Sequence, residues 1–144
     1  MRPTPWLRAA SILTLFHSIS HTLGGVFGAP APGAQQTAVD AMKTNLFPVM
    51  GVTRSLWEFY RGMGLGVTIF LTVEAIVFWL LGNLCRSSDA DLRPVLAVFL
   101  IGYLAFAVNS LIYFFAPPVV VELLIAACLG MAMVSIKRPV ARPA

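Results

Sequence analysis

Residues 65–84 read LGVTIFLTVEAIVFWLLGNL, and Glu74 is the one charged side chain among them. At about 1.5 Å per residue, an α-helix of this length crosses the hydrocarbon core of a bilayer, which is roughly 30 Å thick. Immediately before this stretch, Trp57, Tyr60 and Arg61 form the aromatic and charged flank that is typical of a membrane interface. The pattern predicts a transmembrane helix over about residues 55–84.

Three further apolar blocks lie at about residues 6–28, 94–115 and 119–136. Each is long and apolar enough for a transmembrane helix. The first block runs into a stretch rich in Gly and Pro, and the Pro117-Pro118 pair separates the last two, because proline cannot continue a helix. The sequence therefore predicts four membrane-spanning helices.

Composition supports the membrane assignment. Hydrophobic residues make up 58% of the 144-residue chain and charged residues 11%, whereas soluble domains carry about 25% charged residues. The mean hydropathy is +0.84. The formal net charge of +4 comes from basic residues at the ends of the apolar blocks rather than from one patch. The expected partner is therefore the lipid bilayer, and nucleic acid is not expected.

The first block also has features of a cleaved signal peptide, because its start is basic and the small residues Ala29 and Ala31 follow it. However, His17, Ser18 and His21 would cut the apolar region of a signal peptide short. A retained first helix is the favoured interpretation.

Basic residues set the expected orientation, since they concentrate on the cytoplasmic side of short loops. With both termini cytoplasmic, seven basic residues lie inside and three outside. The seven are Arg2, Arg8, Arg86, Arg93, Lys137, Arg138 and Arg142, and the three are Lys43, Arg54 and Arg61.

Short connections between four helices favour one architecture, an all-α, integral membrane, antiparallel four-helix bundle that forms a single domain over residues 1–144. The predicted outer loop covers residues 29–54. Within it, Val39, Met42 and Leu46 recur at helical spacing, which predicts a short amphipathic helix ending near Pro48. Cys85 and Cys128 are expected to be free thiols.

Two histidines fall on one face of the first helix, because His17 and His21 are four residues apart. Thr14, Ser18 and several glycines share this stripe, which is typical of a face turned toward neighbouring helices. The pair could hold a metal ion or one residue could be a haem ligand, but two ligands are an incomplete set. Hydrogen bonding between helices is the favoured interpretation, and any cofactor stays unknown.

The segment from Arg54 to Gly64 reads RSLWEFYRGMG and combines Glu58, Tyr60 and Arg61. On a helix, Glu58 can pair with Arg54 or with Arg61. One hypothesis makes this stretch an interfacial anchor, and the other places Glu58 over the mouth of the bundle, facing His21. The two hypotheses are evenly matched.

Ionisable groups inside a membrane require a partner or a function. Glu74 lies in the middle of the second span, where contact with His17 is one alternative. Asn109 and Glu122 fall in the outer halves of the last two helices, whereas the inner half is apolar. This asymmetry suggests a polar pocket that opens outward, although polar contacts between helices would give a similar pattern. The candidate pocket residues are His17, His21, Glu58, Tyr60, Arg61, Asn109 and Glu122.

Two segments carry a resemblance to a known family. The chain has HTLG at residues 21–24 and WEFYRGMG at residues 57–64. It resembles a family of small, uncharacterised bacterial four-helix membrane proteins with H-T-x-G and [WY]-x-F-Y-x-G-x-G segments, and more loosely DoxX-like membrane proteins. The resemblance implies a multi-pass protein of the bacterial inner membrane but no reaction. Members commonly have Asp where this chain has Glu58, so an acidic side chain is kept.

Three functions follow as hypotheses. The first is binding of a hydrophobic small molecule or a partner membrane protein through the outward-facing pocket, and a homo-oligomer is a separate alternative. The second is a membrane isomerase or oxidoreductase that uses His21 and Glu58 as an acid–base pair oriented by Arg61. The third is a metal or haem site at His17 and His21. We favour the first.

Overall fold

A computed structural model describes residues 2–88 and 90–136 of the chain, most of which are helical. The described residues form five α-helices, one π-helical segment and one β-hairpin. They are α1 (Pro3–Ser20), the π segment (His21–Val26), α2 (Ala34–Thr44), β1 (Leu46–Val49), β2 (Val52–Ser55), α3 (Leu56–Ser87), α4 (Arg93–Tyr113) and α5 (Ala116–Ser135).

Three helices of the described chain, α3, α4 and α5, are long and apolar enough to cross a membrane. Only 17% of the most apolar window of α3 is buried inside the protein, so most of its apolar surface faces outward. Lipid is the solvent that accepts such a surface. The chain is therefore a membrane protein. Lys137, Arg138 and Arg142, which the predicted orientation counts as cytoplasmic, lie outside the described residues.

The segment predicted as the first span is not one regular α-helix. It runs as α1 for 18 residues and then as the π segment for six, with the N–H of Phe27 bonded to the carbonyl of Thr22, five residues back. Gly28 follows directly, and a Cβ atom there would lie 2.0 Å from the Gly24 carbonyl oxygen. Only glycine therefore fits at position 28. α1 does not belong to the set of three helices with the length and apolarity of a membrane span.

The predicted outer loop contains the expected short helix, α2, which ends at Thr44 rather than near Pro48. The following residues form an antiparallel hairpin that the sequence pattern did not indicate, so the all-α prediction needs this correction. Met50 and Gly51 make the two-residue turn with φ of +47° and +87°. Positive φ at both turn residues matches the twist of a tight hairpin, and glycine adopts it without strain.

The connection between the last two helices lies before the proline pair. α4 ends at Tyr113 and α5 begins at Ala116, so that Pro117 and Pro118 lie inside the first turn of α5. The N–H groups of a first helical turn have no partner within the helix, and proline therefore costs nothing there. The predicted limits at residues 115 and 119 are corrected accordingly.

The chain forms two compact units. The core unit consists of the chain up to His17 and from Leu71 onward, and the hairpin unit consists of Ser18–Phe70. Four helices contribute to the buried centre of the core unit, which contains Leu7, Ala10, Phe78, Leu96, Tyr103, Ile125, Ala126, Leu129 and Ala132. In the hairpin unit, Val26 and Ser55 are buried.

Candidate functional site

Of the predicted pocket residues, the core unit brings together His17 and Glu122. The imidazole Nε2 of His17 lies 3.9 Å from Oε1 of Glu122, and both side chains are buried. Asn109 is exposed on α4, beside the buried Ser110. The remaining four residues, His21, Glu58, Tyr60 and Arg61, belong to the hairpin unit.

Glu122 is the most deeply buried ionisable residue of this site, with 1% of its surface exposed. Ser110 Oγ donates a 2.8 Å hydrogen bond to its Oε1 atom. Ser110 lies on the buried face of α4 because it is seven residues, or about two turns, beyond the buried Tyr103. We call His17, Ser110 and Glu122 the Glu122 cluster.

The second carboxylate oxygen of Glu122, Oε2, differs from the first in its hydrogen bonding. Oε2 is buried and has no hydrogen-bond partner among the described residues. Leaving a buried polar atom unsatisfied costs about 1–3 kcal/mol, and more when the group is charged. Most buried polar groups in proteins therefore have a partner, and an exception requires an explanation. Oε2 is thus a buried polar atom of the core unit without a hydrogen-bond partner among the described residues.

Glu74 has a partner that the sequence pattern did not reveal. Tyr103 donates a 2.7 Å hydrogen bond from its hydroxyl to Glu74 Oε2, and the Thr14 hydroxyl lies 3.3 Å from the same phenolic oxygen. The sequence offers His17 as one alternative partner of Glu74, whereas His17 lies next to Glu122 in the structure. The sequence pattern does not single out Tyr103, because a tyrosine in an apolar span is typical of a packing residue. Tyr103 and Ser110 are seven residues apart, and this helical spacing places both polar residues on the same face of α4.

The polar stripe of α1 is buried within the core unit, where Ser11, Thr14 and His17 follow at three-residue steps. Ser11 donates a 2.6 Å hydrogen bond to the carbonyl oxygen of Ala75 on α3. Phe106 of α4 is half buried, and its ring centroid lies 6.2 Å from that of His17. The stripe therefore turns toward neighbouring helices, and Phe106 is the aromatic side chain beside the Glu122 cluster.

In the hairpin unit, Glu58 caps the start of α3. Its Oε2 atom accepts a 2.7 Å hydrogen bond from the backbone N–H of Ser55, whose hydroxyl in turn accepts a 3.2 Å bond from the N–H of Glu58. This reciprocal pair is a capping box, which satisfies N–H groups that have no partner inside the helix. The S-x-x-E pattern at Ser55 was the missed sequence signal. Arg54, rather than Arg61, lies near Glu58, at 3.8 Å.

The other hairpin-unit candidates each have a separate partner. His21 Nε2 donates to the carbonyl oxygen of Gly64 at 3.1 Å, and Tyr60 donates its hydroxyl to the Gly25 carbonyl oxygen at 3.1 Å. The guanidinium carbon of Arg61 lies 4.7 Å from the centroid of the Phe27 ring. These contacts fasten the π segment to the first turns of α3.

A shallow groove of about 440 Å³ lies between the hairpin and the start of α3. Most of its lining is apolar, with the Arg54 and Glu58 pair as its charged part. The lining residues are Val49, Val52, Arg54, Glu58, Phe59, Gly62 and Met63.

Metal binding has little support in the described part of the chain. No group of three or more His, Cys, Asp or Glu side chains that could hold a metal ion occurs among the described residues. Cys85 and Cys128 are both free thiols. The hypothesis of a metal ion at His17 and His21 therefore gains no third ligand among these residues.

Known proteins add no constraint on this site. Comparisons of the chain with family models, with curated proteins and with solved structures gave no match.

Proposed function

We propose that this protein is a four-helix bundle of the bacterial inner membrane that binds a hydrophobic small molecule in its core unit. The polar headgroup of that molecule hydrogen-bonds to the Glu122 cluster, and its apolar part lies among or along the helices. One observation carries the proposal: Glu122 Oε2 is buried and lacks a partner among the described residues. An unused polar atom inside a membrane-spanning helix favours a functional site.

The four-helix architecture is supported by the first helical segment and by the buried centre. α1 and the π segment together contain 24 residues, whereas a helix that crosses the hydrocarbon core needs about 20 residues. α1 contributes Leu7 and Ala10 to the same buried centre as α3, α4 and α5. A helix that packs with three membrane-spanning helices is itself best solvated inside the bilayer.

Orientation with both ends in the cytoplasm is supported by charge. Arg86 and Arg93 flank the connection between α3 and α4, whereas Lys43 and Arg54 lie between α1 and α3. Four helices with cytoplasmic ends put the first pair inside and the second pair outside. Arg2 and Arg8 join the inner set, as the positive-inside rule requires.

Phe106 is the proposed entrance. It is half buried and lies beside His17, whereas Ala107 and Ser110 on the same helix are fully buried. We propose that a headgroup enters from the lipid side past this ring, which lies next to His17. Entry from lipid suits a ligand that is itself dissolved in the bilayer.

Mass spectrometry after organic extraction tests the binding function. The protein purified in mild detergent is expected to carry a hydrophobic molecule, and Glu122→Met is expected to remove it. Met is unbranched and similar in length, so the change removes the carboxylate with little change in shape. Glu74→Met is the matched control, since Glu74 has its own partner in Tyr103. Equal occupancy of both variants and the unmodified protein would contradict the proposal.

Orientation is tested by labelling single cysteines in a variant that lacks Cys85 and Cys128. Gln35→Cys in the outer loop is expected to react with a membrane-impermeant maleimide in intact cells. Ser88→Cys, between α3 and α4, is expected to react only after the membrane is opened. The reverse pattern would refute the proposed orientation.

A second candidate function is association with a membrane partner or a second copy. It is favoured by the groove of the hairpin unit and by Gly62 and Gly66, which are four residues apart and have no atom within 4 Å of where a Cβ would lie. Small residues at this spacing allow close helix approach. Gly62→Leu is expected to abolish cross-linked oligomers, and Gly102→Leu, at an equally open glycine, is the control. Oligomers that persist in Gly62→Leu would contradict this association.

The enzyme hypothesis receives less support. A general base must reach its substrate, whereas Glu58 is used as a helix cap and His21 Nε2 is bonded to a carbonyl oxygen. Arg61, the proposed orienting residue, lies against Phe27 instead of Glu58. These contacts favour structural roles for all three residues.

A further inference from the structure

We infer that the ligand of the Glu122 cluster is a neutral lipid-soluble alcohol or phenol, bound through its hydroxyl group. This inference rests on the proposed binding function and specifies the chemistry of the headgroup. It follows from the hydrogen-bonding capacity of one atom, Glu122 Oε2, and from the distance between the cluster and the arginines of the same helices.

The hydrogen-bonding capacity of the buried Oε2 atom favours a hydroxyl group. An ionised carboxylate oxygen only accepts hydrogen bonds, whereas the O–H of a protonated carboxyl group also donates one. A hydroxyl donates and accepts, so it pairs with Oε2 in either protonation state. An ammonium group matches only the ionised carboxylate, and an ether oxygen matches only the protonated carboxyl group.

The remaining contacts of Glu122 agree with a single added group. Ser110 already donates to Oε1, and His17 Nε2 lies 3.9 Å from Oε1, beyond hydrogen-bond distance. One hydrogen-bond donor at Oε2 would therefore give each oxygen of the carboxylate a partner. Ser110 and His17 are both buried, so the headgroup would be shielded from water. A hydrogen bond contributes more to affinity in such a site than in water.

Anionic headgroups are disfavoured by the distribution of arginines along the helices. On α4, Arg93 is 17 residues from Ser110, which corresponds to roughly 25 Å. On α1, Arg8 is nine residues from His17, or roughly 13 Å, and its guanidinium group is held by Trp79 and Asn83. A carboxylate or phosphate bound at the cluster would gain no arginine or lysine partner from these helices. It would also lie against the Glu122 carboxyl group.

The second carboxylate of the core unit does not compete for the same headgroup. Glu74 accepts a 2.7 Å hydrogen bond from Tyr103, and it is only partly buried. Among the described residues of the core unit, the Glu74 carboxylate thus has a phenol partner from the protein, whereas Oε2 of Glu122 has no hydrogen-bond partner. The Glu74–Tyr103 pair is an example, within the same unit, of a hydroxyl that donates to a carboxylate oxygen.

Four probes built on a twelve-carbon chain test the inference: 1-dodecanol, dodecyl methyl ether, dodecylamine and dodecanoate. Each is titrated into the unmodified protein in a neutral maltoside detergent, and apparent affinity is read from the shift in melting temperature. Dodecanol is expected to bind roughly fivefold or more tightly than the ether, as expected for one buried hydrogen bond. The amine and dodecanoate are expected to bind more weakly than dodecanol.

Variants then locate the effect. Glu122→Met is expected to bring dodecanol and the ether to within about twofold of each other, and Glu74→Met is expected to preserve their difference. The comparison of the four probes on the unmodified protein needs no variant, so it stands even if Glu122→Met fails to fold.

Each outcome bears on a different claim. Equal binding of dodecanol and the ether, or tighter binding of the amine or dodecanoate, would overturn the hydroxyl assignment while leaving the binding function intact. Binding of no probe at all would overturn both. A preference for dodecanol that survives Glu122→Met would place the hydroxyl elsewhere and refute the assignment to Oε2.

Discussion

Ser110 Oγ and Glu122 Oε1 are 2.8 Å apart, and the hydrogen bond between them joins α4 to α5 inside the core unit. The serine supplies the one short hydrogen bond found for the Glu122 side chain among the described residues. Because a buried carboxylate is costly when its oxygens lack donors, the stability of the core unit depends on the few groups that satisfy Glu122 and Glu74.

Ser110→Ala is expected to lower the free energy of unfolding by about 1–3 kcal/mol, because it removes a donor from a buried carboxylate. Thermal unfolding in detergent measures the loss. Ser20→Ala, at an exposed position of α1, is the control and is expected to change stability little. Equal melting temperatures for the two variants would show that the Ser110 hydrogen bond adds nothing.

Tyr103→Phe removes the hydroxyl that donates to Glu74 and lies near Thr14. We expect a loss of about 1–3 kcal/mol, since Glu74 is left without that donor. Tyr113→Phe is the matched control, because Tyr113 is 74% exposed. A double-mutant cycle with Glu74→Met, which removes the acceptor, isolates the pairwise energy. A coupling energy near zero would contradict the importance of the pair.

The capping box separates the two interpretations of Glu58. Ser55→Ala is expected to cost about 1 kcal/mol, and Glu58→Ala a similar amount. Glu58→Gln should be nearly neutral, because an amide oxygen also accepts the Ser55 N–H bond. Chemical denaturation of the three variants gives the comparison. A large stability loss in Glu58→Gln alone would point to a role for the charge itself.

Gly24 in the π segment and Gly28 just after it provide a pair of substitutions with opposite expected outcomes. Gly28→Ala is expected to destabilise the hairpin unit, because its Cβ would lie 2.0 Å from the Gly24 carbonyl oxygen. Gly24→Ala is expected to be tolerated, since no atom lies within 4 Å of its Cβ position. Yield of monodisperse protein and melting temperature report the difference. Similar behaviour of both variants would argue against this geometry.

Met50 is fully exposed at the hairpin turn with φ of +47°, a conformation that asparagine adopts more readily than methionine. Met50→Asn is expected to stabilise the hairpin by a few tenths of a kcal/mol. Met50→Ala removes the side chain but keeps the backbone strain, so it serves as the control. Hydrogen exchange of the hairpin amides measures both variants. Slower exchange in Met50→Ala than in Met50→Asn would refute the expectation.

The membrane character of α3, α4 and α5 could be predicted because it depends only on the length and apolarity of a segment. The hairpin could not, since Leu46–Val49 contains Pro48 and has no clear alternation of apolar and polar residues. Its turn, Met50-Gly51, is also an unusual pair, because asparagine or aspartate usually precedes the glycine.

The sequence indicates which ionisable residues belong to the candidate site but not which residues they contact. Buried ionisable groups such as His17 and Glu122 stand out in an apolar span because charge there is costly. The pairing depends on how each helix is rotated about its axis, which periodicity fixes poorly when apolar residues surround the whole helix. The sequence therefore leaves His17 as one alternative partner of Glu74, whereas the structure pairs Glu74 with Tyr103.

The π segment His21–Val26 bears on how the chain can change in length during evolution. A π turn arises when one residue is added to an α-helix and the helix absorbs it as a local bulge. Deleting one residue between Thr22 and Gly25 should therefore return this stretch to α-helix and leave the flanking residues on their original faces. The same deletion in the middle of α3 would turn every later side chain by about 100°. Natural insertions and deletions within the first helical segment should therefore concentrate at these six residues.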